Sequence, residues 1–145
     1  MVCTFFGHRD CPIDIKTKLY NAAKKLIKKH DVDTFLVGDK GKFDFIARTV
    51  LEKLSNEYPH IKYNVVLAYM PGKRDEFCEG DIANTILPMG IEIVPKRVAI
   101  PWRNKWMLDR ADYVLAYVVC SQGGAAKYVE KALKKGKTVI NIAEM

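Results

Sequence analysis

No apolar run in these 145 residues approaches the length needed to cross a bilayer, so no membrane partner is expected. Histidine is scarce: His8, His30 and His60 lie far apart, and no HxxxH pair exists. The four cysteines, Cys3, Cys11, Cys78 and Cys120, contain no CxxC pair. Cys3 and Cys120 sit inside apolar, strand-like runs, where cysteine behaves as a small hydrophobe. Zinc, any other metal and a disulfide scaffold are therefore not expected, nor is an organic cofactor. The first residues, Met1 to Phe6, lack a basic stretch and soon meet His8, Arg9 and Asp10, unlike a secretory leader. A cytoplasmic location is the expectation. There is no internal repeat and no low-complexity segment.

What is present is the composition of a globular domain, 49% hydrophobic and 28% charged, in a length that suits one domain over residues 1–145. The formal charge of +7 comes largely from two lysine faces, Lys24-Lys25-Lys28-Lys29 and Lys131-Lys134-Lys135-Lys137. Such faces attract phosphates, nucleic acid included. They also serve simply as solvated helix surfaces, and no aromatic residues interleave them as stacking platforms. Nucleic acid is therefore not the expected partner.

Apolar β-rich runs alternate with stretches of helical periodicity. Val2 to Phe6, Thr34 to Val37, Tyr63 to Tyr69, Tyr113 to Val119 and Thr138 to Ile142 read as strands. Helices are expected from about Ile13 to His30, with Leu19, Ala22, Ala23, Leu26 and Ile27 facing inward, and through Phe43 to Leu54. Another is expected from Trp102 to Arg110, opened by Pro101, and a last one from Gly124 to Lys135. The charged segment Lys73 to Pro88 shows little pattern and reads either as a mobile loop or as carrying a short helix around Asp81 to Leu87; Ile91 to Val94 suggests a small strand. Near-continuous apolar strands alternating with helices argue an α/β fold: a single doubly wound, Rossmann-like, mostly parallel sheet with helices on both faces.

In such folds a ligand binds beyond the carboxyl ends of the strands, where strand order reverses. The loops expected there are Gly7-His8-Arg9, Gly38-Asp39-Lys40-Gly41, Met70-Pro71-Gly72 and Ser121-Gln122-Gly123-Gly124. Three of them combine glycine with a cation or with hydroxyl and amide donors. The first amides of the helix after Gly123 are unpaired and favour an anion, so a nucleotide-like small molecule is the expected ligand. Gly123, Ala126 and Glu130 share one helical face, and side chains lean toward a helix N-terminus. Glu130 can thus lean toward the glycine turn, or pair with Lys127 or Lys134 on the surface. Arg103, in the first turn of its expected helix, opposes the helix dipole. Asp44 can orient the second loop or serve as a first-turn acid. Trp102, Trp106 and Tyr128 are candidates for a homodimer interface or for core.

Cys3-Thr4-Phe5-Phe6-Gly7-His8-Arg9, Trp102-Arg103-Asn104-Lys105 and the run from Gly123 to Glu130 resemble the SLOG superfamily, and within it a bacterial branch of that group. SLOG proteins are Rossmann-like and include the Lonely Guy phosphoribohydrolases and DNA-processing protein A. The Lonely Guy enzymes carry an Arg-Lys-rich helix start, an Ala-Asp before a strand, then Pro-Gly-Gly-x-Gly-Thr-x-x-Glu. The counterparts here are Arg103, Ala111-Asp112, and Gly123-Gly124 through Glu130, with the same spacing from the glycines to the glutamate. Gln122 replaces the proline, and Ala126-Lys127 replace Gly-Thr, so a threonine hydroxyl for phosphate is missing; Lys127 can supply charge instead.

The resemblance implies a hydrolase in which Arg103 and Glu130 form the catalytic pair, splitting a nucleoside 5′-monophosphate into base and ribose 5-phosphate. A carboxylate would stabilise the positive charge developing on the ribose and orient water. The alternatives are a non-catalytic sensor of a nucleotide or ADP-ribose-type ligand, a single-stranded DNA-binding module, and a deoxyribosyltransferase using Glu130 as nucleophile.

Overall fold

The computed structural model describes residues 1–68, 84–120 and 122–144. Its strands are β1 (Val2–Gly7), β2 (Thr34–Val37), β3 (Lys62–Val66), β4 (Thr85–Ile86), β5 (Tyr113–Tyr117) and β6 (Thr138–Asn141). Four α-helices lie among the described residues: α1 (Ile15–Lys29), α2 (Lys42–Glu57), α3 (Lys96–Arg110) and α4 (Gly124–Lys134). The described strands form one sheet in the order β4-β3-β2-β1-β5-β6, and every pairing is parallel.

Each central strand is buried on both faces and sends alternate residues to two cores. Cys3 and Phe5 of β1, Phe35 and Val37 of β2, and Leu115 of β5 join the larger core under α1 and α2. Phe6, Leu36, Val114 and Ala116 point the other way, toward Met107 and Leu108 of α3 and Tyr128 and Ala132 of α4. The apolar stripe of α1, from Ile15 through Leu19, Ala22, Ala23, Leu26 and Ile27, is buried as its spacing predicts. Thr4 is buried within this apolar sheet, where its hydroxyl donates to the Leu36 carbonyl at 2.9 Å.

Two parts of the sequence reading are corrected. The third helix begins at Lys96, not Trp102, and Pro101 lies inside it. Pro101 lacks the N–H that would bond the Arg97 carbonyl one turn earlier, and both residues are exposed. Arg103 is consequently in mid-helix rather than opposing the dipole of a first turn. Ile91–Ile93 forms a 3-10 turn instead of a strand, and the added strand is Thr85–Ile86. The Met70-Pro71-Gly72 loop lies outside the described residues, as do residues 81–83 of the short helix suggested for Asp81 to Leu87; within the rest of that stretch Thr85–Ile86 is strand, not helix.

From β1 the chain winds outward through β2, β3 and β4, then returns to lay β5 on the other side of β1. Strand order therefore reverses between β1 and β5. The loops after these two strands diverge there and leave a crevice.

Candidate functional site

A cleft of about 360 Å³ occupies this crevice. Its floor is the end of β1 and the loop after it, Phe5 to Arg9; Lys40 and Asp44 line one side, and Ile100, Arg103, Asn104 and Met107 of α3 another. Gly123, Gly124, Ala125 and Tyr128 complete it. The Phe6 and Tyr128 rings stack at 5.2 Å between centroids, and the Tyr128 hydroxyl donates to the Pro101 carbonyl at 3.1 Å. The cleft is thus apolar and aromatic along one wall, with cations and backbone amides elsewhere.

The glycines around it have different reasons to be glycine. A Cβ on Gly7 would meet the Phe43 ring at 2.3 Å, and one on Gly38 would meet Asp44 Oδ2 at 2.5 Å and Arg103 Nη1 at 2.9 Å. These two let side chains close over strand ends. Gly123 caps α4 with φ 101°, a conformation costly for other residues. Gly124 has neither reason: its φ is outside the left-handed range, and a Cβ there would meet nothing within 4 Å. The first α4 bond is donated by Lys127 to the Gly123 carbonyl, so the amides of the preceding turn are unpaired within the helix.

Arg103 is buried, its side chain 2% exposed, and it ties three elements together. Nη1 donates to Asp39 Oδ1 at 2.8 Å and to the Val66 carbonyl at 2.9 Å, while Nε donates to Asn104 Oδ1 at 2.9 Å. The Asp39 side chain is 1% exposed, and its other oxygen lies 3.6 Å from Lys40 Nζ. Asp44 accepts the Lys40 amide through Oδ2 at 3.2 Å. Burial pushes its carboxyl up to about 6, although Arg103, the Lys40 amide and Arg48 each favour the ionised form. Burial likewise raises the Tyr128 phenol, opposed by Arg103.

The turn leading to Gly123 is pinned from both sides. Asn141 at the end of β6 accepts the Val118 amide through Oδ1 at 3.1 Å and donates through Nδ2 to the Val118 carbonyl at 2.9 Å. His8 Nε2 accepts the Val119 amide at 3.0 Å, which places the imidazole proton on Nδ1, and lies 3.8 Å from the exposed Cys120 thiol.

Of the expected site residues, Gly7, His8, Arg9, Asp44, Arg103, Gly123 and Gly124 are brought together around the cleft. Gly38 lies beneath Asp44 and Arg103, and Gly41 packs beside Arg9. Gln122 and Lys127 are exposed, and neither is among the lining residues. Ser121 lies outside the described residues. Glu130 is not brought in: its side chain is 68% exposed and pairs with Lys134 at 3.2 Å. The inward face of α4 is set by Tyr128 and Ala132, and two residues of helix put Glu130 about 200° around the axis from Tyr128. The apolar pair at four-residue spacing was the signal for that face. Sequence reasoning also missed Asp39 as the partner of Arg103 and Asn141 as the anchor of the turn. Of the suggested interface aromatics, Tyr128 is buried within the chain, while Trp102 and Trp106 are half-buried.

Among the described residues no group of three or more His, Cys, Asp or Glu side chains is arranged to hold a metal ion. No helix among them is long and apolar enough to cross a membrane.

No protein-family model matches the chain, and no curated protein matches it. Among solved structures it is similar to DNA processing protein A from Streptococcus pneumoniae, at 16% identity and a TM-score of 0.67. The likeness covers 94% of this chain and 48% of that one, so this chain spans about half the length of its neighbour. At that identity the two share a fold, the Rossmann-like α/β architecture.

Proposed function

We propose that the cleft binds a nucleoside 5′-monophosphate or a close derivative, and that the protein hydrolyses its N-glycosidic bond to free base and ribose 5-phosphate. The observation that carries the binding half is Gly124, a cleft residue whose missing side chain neither backbone conformation nor packing requires. A bare glycine beside unpaired helix amides gives a phosphate direct access to the main chain. Arg9 and Lys40 add positive charge at the same cleft, and the Phe6–Tyr128 wall suits an aromatic base. The volume falls within the range of small-ligand sites. The SLOG resemblance supports the hydrolytic half, and the shared fold of the DNA processing protein agrees with its Rossmann-like frame.

The catalytic pair that the resemblance carries, Arg103 with Glu130, requires both side chains at one ligand. Arg103 lines the cleft and Glu130 faces solvent on the far side of α4. That placement favours the second reading, a sensor that binds the nucleotide without turnover. A panel of nucleoside monophosphates, with free base release followed chromatographically, separates the two. Release lost in Glu130→Ala supports the pair; tight binding by calorimetry without release supports the sensor; neither binding nor release removes both. The neighbour's name, a DNA-processing protein, weighs against the expectation that nucleic acid is no partner. Binding of a single-stranded oligonucleotide with steep salt dependence, lost on substituting Lys24 and Lys28, would support that reading.

A further inference from the structure

We propose that Asp44 is the acid–base residue of the cleft, meeting the bound nucleotide at the sugar end and carrying the proton exchanged between water and base. This rests on the nucleotide reading above. Three carboxylates come into question, and their surroundings separate them. Asp39 is committed to Arg103 at 2.8 Å and its side chain is 1% exposed. Glu130 is solvated and paired with Lys134. Asp44 alone of the three lines the cleft while keeping its carboxyl among buried groups.

Its position is built by several elements. The first turn of α2 carries it, the bare Gly38 gives its Oδ2 room, and the Lys40 amide fixes that oxygen. Arg103 from α3, Arg48 from α2 and Asp39 from the preceding loop are the charged groups acting on it. The Cys11 thiol feels its charge across the β1–α1 loop, and His8, Arg9 and Lys40 share the cleft. Burial favours the protonated carboxyl, whereas Arg103 stabilises the carboxylate, so both forms are accessible near neutral pH.

In the reaction the Asp44 carboxylate takes a proton from water as the water oxygen bonds to the sugar carbon. The carbon–nitrogen bond breaks, its electron pair staying on the base nitrogen, and Asp44 returns the proton to that nitrogen. Water is thereby divided between ribose 5-phosphate and base, and Asp44 ends as it began.

The test compares wild type with Asp44→Asn, which keeps an acceptor for the Lys40 amide. AMP, CMP, GMP and UMP are titrated by calorimetry between about pH 5 and 8, and base release is measured over the same range. The expected result is binding by both proteins, an acidic limb in the wild-type profile that the variant lacks, and release reduced roughly 100-fold or more. If Asp44→Asn fails to fold, the carboxyl 13C signal of Asp44 in the wild type must move its titration when the nucleotide binds. Binding with an Asp44 signal indifferent to ligand overturns the inference and spares the nucleotide reading. Release unchanged in Asp44→Asn, or binding without release at any pH, likewise overturns the acid–base role. Failure of the wild type to bind any nucleotide overturns the nucleotide reading itself.

Discussion

Replacing Arg103 by methionine should unfold this protein far more readily than replacing any exposed cation. Methionine retains most of the apolar stem, so the loss falls on the guanidinium. That group satisfies Asp39 at 2.8 Å, the Val66 carbonyl at 2.9 Å and Asn104 at 2.9 Å, with 2% of the side chain exposed. Removing it leaves a buried carboxylate 3.6 Å from Lys40 Nζ and takes its donor from the Val66 carbonyl at the end of β3. Breaking a buried pair from one side costs roughly 3–5 kcal/mol. At roughly 2–4 °C per kcal/mol for a domain of this size, the melting temperature should fall by roughly 6–20 °C. Asp39→Asn in the same background removes the stranded charge, so the double variant should be less damaged than the two single losses added together, by roughly 0.5–3 kcal/mol. Urea unfolding followed by circular dichroism measures all four proteins, with an unchanged m-value as the check that one transition is compared. A cost below about 1 kcal/mol for Arg103→Met would show that the guanidinium is not desolvated, and the account of the cleft wall would fall with it.

Asp44 gives a pH-dependent prediction. Its folded-state value of about 6 exceeds the ordinary 3.8, so between these values the folded state holds more protons and stability falls as pH rises through that window. Asp44→Asn should remove this fall, gaining at most about 3 kcal/mol over wild type at neutral pH, with urea midpoints converging toward pH 4. Gly7→Ala drives a methyl group into the Phe43 ring, which is 1% exposed, and should cost roughly 1–3 kcal/mol by thermal unfolding. Gly124→Ala should do the reverse, raising stability by roughly 0.4–1 kcal/mol while weakening nucleotide binding in calorimetry. Glu130→Ala should leave the melting temperature almost unmoved, since its exposed ion pair contributes less than about 1 kcal/mol.

Periodicity made most of the fold legible. The stripe of α1 and the near-continuous apolar runs of β1, β2 and β5 are local patterns: the stripe is buried as its spacing predicts, and the strands are covered on both faces. The start of α3 was hidden because Pro101 carries the signature of a helix opening, while its exposure lets it sit inside a helix. β4 pairs through only two residues, too few to show a period. Within the site, the glycine loops beyond the carboxyl ends of the strands followed from fold class and loop composition, while the crevice between β1 and β5 follows from the strand order. The Arg103–Asp39 pair joins residues 64 apart, and no local spacing reveals such a contact. Asp44 acquires its raised value from burial, with Arg103 of α3 opposing it, again a tertiary effect. For Glu130 the spacing argument grouped it with Gly123 and Ala126 and could not choose between the glycine turn and the surface pairing with Lys134, which is the one the structure shows.

The two walls of the cleft differ in how they tolerate change. On one, Phe43 fills the space over Gly7, and Asp44 with Arg103 fills the space over Gly38. A new side chain there must displace buried neighbours. On the other, Gly124 projects into emptiness at the start of α4. Mutation can explore that lip almost without structural penalty, so selectivity among ligands has a route to diverge at position 124 while the sheet and the buried charges stay as they are.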